Sequence, residues 1–332
     1  MKISFLRAAL CTTLFVSSAQ AHDIRTNSTS RPDDHAPIGV MRDHVHKKGE
    51  YMLSYRYSFM DMQQNKDGSS DVSDANVLQS FNVAPTNMSM RMHMVGGMYA
   101  LTDQFTVGAM GGFATTSMDH LRRNGTSFET EGVGFTDTRV NGMYEFYNDG
   151  AHRMQANFGV SLPTGSYDEI GANGLHLPYV MQLGSGTYDL LPGVSYSGHA
   201  SNISWGGQAN ATIRTGTNNH GYRLGNNYNL TAWSAYKLNR AFSVSARLDG
   251  NMWSDIEGAD PQFTRIMAPT MNPTLFAGRR LDALLGANFI VPEGTLAGHR
   301  LAVEFGTPIY EHLDQDRLGT DYRFTLGWQK AF

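Results

Sequence analysis

His35, Met41, His44 and His46 lie close together near the start of the chain, with Asp33, Asp34 and Asp43 among them. Imidazole and thioether donors together suit copper. In an extended chain His44 and His46, two apart, point the same way and could clamp one ion. No fixed ligand spacing of a structural metal site is met, so the preferred reading is a solvated arm in which the histidines are simply polar and no cofactor is held, with copper as the alternative.

A second set comes from strand-like stretches, where period-two alternation places one group of charges on a common face. Arg56, Arg91, His93, Arg139, Glu145, Arg153, Arg214, Arg247, Asp249, Asp282, Arg300, Glu304 and Arg323 fall there. If that face lines an interior, two kinds of chemistry are open. Opposed charges can pair and stiffen a filled lumen, or arginines can line an aqueous path that favours anionic or polar solutes.

Catalysis finds little support, and the protein is read as no enzyme. His199 and Ser201 have the spacing used by barrel phospholipases but fall in a short turn, and Asp168 and Glu169 are loop carboxylates without a nucleophile. There is no zinc motif, phosphate loop or Gly-x-Ser-x-Gly elbow. The only cysteine, Cys11, sits in an N-terminal segment with Lys2 and Arg7, an apolar run from Ala8 to Val16 and Ala19-Gln-Ala21. That segment, 1–21, reads as a secretory signal cleaved before His22. Disulfides and thiolate chemistry are then excluded from the mature chain.

The elements that must position these residues are strands. Tyr51, Leu53, Tyr55, Tyr57 and Phe59 share one face, with Ser54, Arg56 and Ser58 on the other. Met88, Met90, Met92, Met94 and Met98 stand opposite Ser89, Arg91 and His93, which predicts methionines toward lipid and the two charged residues inward. Further strands are predicted at 104–114, 135–147, 152–162, 186–197, 202–214, 227–238, 241–252, 279–290, 299–310 and 321–332. In the strand at 227–238, Trp233 is out of phase with Leu230 and Tyr236.

Short links at 100–103, 148–151, 198–201, 239–240 and 291–298 alternate with longer ones at 61–87, 115–134, 163–185, 215–226, 253–278 and 311–320. A soluble sandwich has no reason to segregate loop lengths this way. The expectation is all-β: a transmembrane antiparallel up-and-down β-barrel of about twelve strands in the cell outer membrane, with both termini at the periplasmic end. It spans 49–332 and is preceded by an arm, 22–48, that is mobile or folded into the barrel mouth. With 17% charged residues and a net charge of −4, nucleic acid is not an expected partner. The expected partners are the lipid bilayer and a small-molecule solute. The aromatic row Tyr322, Phe324, Leu326 and Trp328 ending at Phe332 resembles the terminal strand that such barrels present to the insertion machinery.

Three motifs carry a family resemblance: Gly132-Val-Gly134 followed by Asp137, Leu162-Pro-Thr-Gly165, and Gln182-Leu-Gly184-Ser-Gly186 followed by Asp189. In order and spacing they resemble the family of outer-membrane transporters named after the meta-cleavage pathway of phenol degradation, from about residue 50 onward. In the family pattern the aspartate follows the glycines directly, whereas Phe135 and Thr136 intervene here. The resemblance implies a barrel for passage of small, including aromatic, molecules. The stretch from His35 to Glu50 with Tyr55-Arg56-Tyr57 resembles a histidine- and methionine-rich subgroup, which implies an association with metal handling.

Overall fold

The computed structural model describes residues 31–171 and 174–332; the expected signal segment, 1–21, and residues 22–30 of the expected arm lie outside that range. The chain leaves the arm into β1 (Tyr51–Gly68), a two-residue β2 (Ser70–Asp71) and helix α1 (Asp74–Ser80). Then come β3 (Val83–Thr102), β4 (Phe105–Arg122), β5 (Ser127–Phe135), β6 (Thr138–Asn148) and β7 (His152–Leu162). The middle holds β8 (Tyr188–Leu190), β9 (Gly193–Ala200), β10 (Ile203–Thr215), β11 (Tyr222–Arg223), β12 (Asn227–Lys237) and β13 (Phe242–Trp253). The last are β14 (Glu257–Gly258), β15 (Gly278–Ile290) and β16 (Arg300–Ala331).

Among the described residues, eleven of these elements form a closed antiparallel ring, β12-β13-β15-β16-β1-β3-β4-β6-β7-β9-β10, with β10 paired back to β12. Closure leaves no backbone edge unpaired, the condition for strands to cross lipid. β16 is itself a hairpin. Its first limb pairs with β15 and its second with β1, and it reverses where Gln315 and Asp316 both take positive φ. Thr307 Oγ1 donates to the Asp321 carbonyl at 2.7 Å across the two limbs. The chain therefore crosses the barrel wall as often as the sequence predicts. The expected loops at 115–134 and 311–320 are instead strand hairpins rising above the ring, since β4–β5 pairing and the β16 reversal extend the ladders.

The outer face is apolar. Leu53, Val95, Val140, Phe158, Leu230, Leu248, Leu285 and Phe305 are all exposed, and Tyr51, Tyr99, Tyr144, Tyr236 and Phe332 add exposed aromatics near the short-turn end. Phe332 stacks on Tyr51 with centroids 4.8 Å apart, and the two exchange backbone hydrogen bonds that close the seam. Three apolar clusters sit among the long loops at the other end: Met88, Met118, Leu177 and Met181; Tyr179, Tyr222, Ile256 and Phe276; and Val77, Phe81 and Ala84.

The methionine row reverses the sequence expectation. Met88 is buried against Leu177 and Met181, and Met90, Met92 and Met94 line an internal cavity of about 240 Å³ with Arg56 and Arg323. Arg91 and His93 are exposed on the outer face. Arg91 lies over the Phe59 ring, and His93 Nδ1 is 2.8 Å from the Tyr55 hydroxyl. Methionine belongs inside because this interior is packed with protein, and an unbranched thioether fills irregular gaps well.

Candidate functional site

The lumen is occupied from the short-turn end by residues 31–48. The arm enters beside β10 and β13, where Ser243 Oγ donates to the Pro32 carbonyl at 3.1 Å and Ser204 Oγ to that of Asp33 at 2.7 Å. Arg300 Nη2 donates to the Arg31 carbonyl at 2.9 Å. Trp233 is buried against this entry, with Asp33 and Trp205 around the same small cavity, which explains its phase within β12.

Pro37 sets a turn in which Val40 N donates to its carbonyl at 2.8 Å, and Ile38 and Val40 become buried. Gly39 is required at the tip. A Cβ there would stand 2.3 Å from both Arg247 Nη2 and Glu304 Oε2.

The return limb is anchored at Arg42, which takes a left-handed φ of 60°. That conformation costs a non-glycine residue about 1–2 kcal/mol, and seven hydrogen bonds to the wall offset it. Gln155 Nε2 donates to the Arg42 carbonyl at 2.7 Å, and Asn157, Ser195 and Gln208 reach the same oxygen. Its guanidinium donates to the Leu191 carbonyl at 3.0 Å and to Asn210 Oδ1 at 2.9 Å. The arm leaves past His46, whose backbone N–H donates to Thr106 Oγ1 at 3.0 Å.

The charged interior divides into a paired network and arginines outside it. On β13, β15 and β16, Arg247 makes a bidentate pair with Glu304 at 2.8 and 2.7 Å and reaches Asp249 at 3.1 Å. Arg323 joins Asp249 at 2.6 Å to Asp282 at 2.8 Å, and Arg280 adds a contact to Asp282 at 2.9 Å. These carboxylates are almost fully buried and are paired, as a dry interior demands.

Outside that network, Arg56 on β1, the strand next to β16, and Arg139 on β6, across the barrel, make no ion pair among the described residues. Arg56 is buried, and its Nε and Nη1 have no hydrogen-bond partner. With Arg42 they border a cavity of about 250 Å³ that Arg247 and Asp249 also reach and whose polar lining includes Asn141, Gln208, Asn210, Asn229 and Asn251. Met98, Met110 and Met143 supply its apolar side.

The three sequence motifs meet at the root of the longest loop. Asp137 Oδ1 accepts from Gly165 N at 3.0 Å, and Oδ2 accepts from Ser185 N at 2.9 Å and Ser185 Oγ at 2.6 Å. A Cβ on Gly184 would lie 2.5 Å from the Gly165 carbonyl, so the two segments touch backbone to backbone. Asp189 accepts from Thr187 Oγ1 at 2.7 Å and pairs with Arg214. Asp137 thus acts despite the two intervening residues, as a clasp for the loop. That loop carries Leu177 and Met181 over the barrel mouth, and its Met181 carbonyl packs 3.0 Å from where a Gly132 Cβ would be.

Of the expected lumen residues, Arg56, Arg139, Arg247, Asp249, Asp282, Arg300 and Glu304 face inward, as does Glu145, which accepts from Asn148 at 2.8 Å near the short-turn mouth. Arg91 and His93 do not. Of the expected metal ligands, His35, His44 and His46 come together: ring centroids are 4.0 Å apart for His35–His44 and 4.8 Å for His44–His46. Met41 does not join them, because it follows the plug tip and lines the two central cavities. Asp43 takes its place, with a carboxylate oxygen in reach of His35 and His44. Burial, reinforced by His44, pushes the His46 imidazole down to about 3, and burial with Arg300 holds His35 well below its usual range. Sequence reasoning missed Arg42, Gly39 and Asp137 as keystones. For Asp137 the glycine motifs beside it were the available signal. A second group, His176, His220 and Asp260, assembles from three long loops and left no such signal.

A closed antiparallel barrel with an apolar girdle, an ion-paired interior and an inserted N-terminal plug defines an outer-membrane β-barrel. Residues 63–265, more than half of the chain, match the family model described as "Putative MetA-pathway of phenol degradation", and the chain belongs to that family. No curated protein matches it by sequence. Among solved structures it is similar to the COG4313 outer membrane channel from Pseudomonas putida F1, with 12% identity over 87% of this chain and 97% of that one and a TM-score of 0.63. Looser likenesses include the transport unit of the autotransporter AIDA-I from Escherichia coli (12% identity, 88% and 93% covered, TM-score 0.48). Another is the P. putida toluene transporter TodX (9% identity, 86% and 91% covered, TM-score 0.42).

Proposed function

We propose that the protein is an outer-membrane channel for small anionic solutes, held shut at rest by the plug from its periplasmic end and the loop lid from outside. The observation that carries this reading is the central cavity, where Arg42, Arg56, Arg139 and Arg247 converge with a single lining carboxylate, Asp249. Guanidinium groups in excess of carboxylates favour an anion there. The methionines on the same cavity suit an aromatic or otherwise apolar body, since thioethers pack well against rings. Transport rather than catalysis is the role, consistent with His199 and Ser201 sitting at the turn between β9 and β10. Phe332 and its aromatic strand would engage the barrel insertion machinery during assembly.

Purified, folded protein in planar bilayers tests the reading, with benzoate as the solute in parallel liposome uptake. Rare discrete openings that prefer anions, together with benzoate entry, are the expected result. A folded barrel that conducts nothing and admits no benzoate, even with residues 31–46 removed, defeats it.

A further inference from the structure

The plug carries a second chemistry that the channel reading does not use. His35 Nδ1, both nitrogens of His44 and His46 Nε2 are buried with no hydrogen-bond partner. The His44 side chain is only 10% exposed and that of Asp43 only 7%. His44 Nδ1 lies 2.9 Å from Asp43 Oδ1, an ion-pair distance without the direction of a hydrogen bond. A buried imidazole nitrogen left unpaired costs about 1–3 kcal/mol, and several within one turn call for a ligand rather than a packing explanation.

We propose that His35, Asp43 and His44 bind a late first-row divalent metal ion. Their ligand atoms already lie within 4.8 Å of one another. An ion with bonds of about 2.0–2.2 Å needs donors at most roughly 4 Å apart, so a contraction of several tenths of an ångström completes the set. His46, with its ring centroid 4.8 Å from that of His44 and its Nε2 unpartnered, offers a fourth donor, and a water is the alternative.

The surroundings fit. Asp43 is oriented by the Ala36 N–H, which donates to its other oxygen at 2.9 Å. An entry path exists as well. A cavity of about 180 Å³ runs from the mouth at Lys47, Glu50 and Asp103 to His35, His44 and His46.

Two imidazoles and a carboxylate select Cu²⁺ above Zn²⁺ and Ni²⁺ by the usual order of divalent affinities. Cu⁺ is disfavoured, because Met41 points into the central cavities and no thioether joins the set. All three ligands belong to the arm, so a bound ion would tie its 35–44 loop to itself and stiffen the plug. By contrast, His176 in the loop cluster already spends its Nδ1 on Asp260 at 2.9 Å, which makes that cluster the control.

The experiment uses the untagged, folded barrel in detergent, titrated with Cu²⁺ and Zn²⁺ by calorimetry and followed by Cu²⁺ electron paramagnetic resonance. The wild type should bind one Cu²⁺ with nitrogen couplings in the spectrum. His35→Ala with His44→Ala should weaken binding by at least about 100-fold, beyond the loss typical of an outer-shell change, and remove those couplings. Asp43→Asn, which keeps an oxygen for Ala36, should bind more weakly with the couplings retained. Asp260→Asn should change nothing. Unaltered affinity and spectrum in the double variant, with the folded band still present on unheated gels, overturns the assignment. Loss of binding in Asp260→Asn alone overturns it too. Conductance enters none of these readouts, so failure of the channel reading leaves the result intact.

Discussion

The two ends of this barrel are closed by different physics. At the short-turn end the arm is held by hydrogen bonds from wall side chains to its own backbone carbonyls, at Pro32, Asp33, Met41 and Arg42. At the other end the loops close over apolar clusters, with Leu177, Met181, Tyr179 and Tyr222 at their centres. Hydrogen bonds to a backbone are directional and net about 0.5–1.5 kcal/mol each, so the plug is fixed in register but can be traded for water bond by bond. The lid is non-directional and resists wetting as a unit. The difference teaches that solute passage would ask more of the lid than of the plug, unless a ligand on the arm stiffens it.

The largest expected effect is on the plug as a whole. Removing residues 31–46 should leave a heat-modifiable barrel and turn rare openings into sustained conductance steps in planar bilayers. Gly39→Leu should act in the same direction with the arm still present, because its side chain would land on the Arg247–Glu304 pair. An unchanged conductance in both would mean that the lid alone seals the channel.

Next is the paired network. Arg247→Gln strands Glu304 and leaves Asp249 with Arg323, so the urea stability of the folded barrel should drop by about 3–5 kcal/mol. Arg247→Gln combined with Glu304→Gln should recover part of that loss. Equal stability of single mutant and wild type would show that water reaches this pair.

The lid should respond locally. Leu177→Ala removes a buried side chain from the cluster with Met88, Met118 and Met181, at a cost of about 2–5 kcal/mol. The effect should read out as faster hydrogen exchange and proteolysis across 163–187, with the barrel's own unfolding midpoint unmoved. A shifted midpoint would mean that lid and barrel unfold together.

The smallest effect is predicted for the arginines outside the paired network. Arg139→Gln should change stability by only about 0–1 kcal/mol while lowering anion preference in the conducting, arm-deleted barrel. Large instability with unchanged selectivity would place Arg139 with the paired network instead.

Much of the architecture was legible before any coordinates. Period-two alternation, segregated short and long links and an aromatic end specify the ring, its direction and nearly every inward charge from Arg56 to Glu304. These are local signals, because a strand's two faces and a turn's length are written within a few residues. Which face of 88–98 turns inward was not local. Alternation separates two faces without assigning them, and the assumption that charge points inward fails where a plug and lid make the lumen partly apolar, as around Met88 and Met92. The arm's fate was equally hidden. Arg42 meets Gln155 and Asn210 across more than a hundred residues of chain, and contacts of that separation leave no periodicity to read. The same holds for the candidate metal site: residue types pointed to His35, His44 and His46, but only the turn at Pro37–Val40 decided that Asp43 joins them and Met41 faces away.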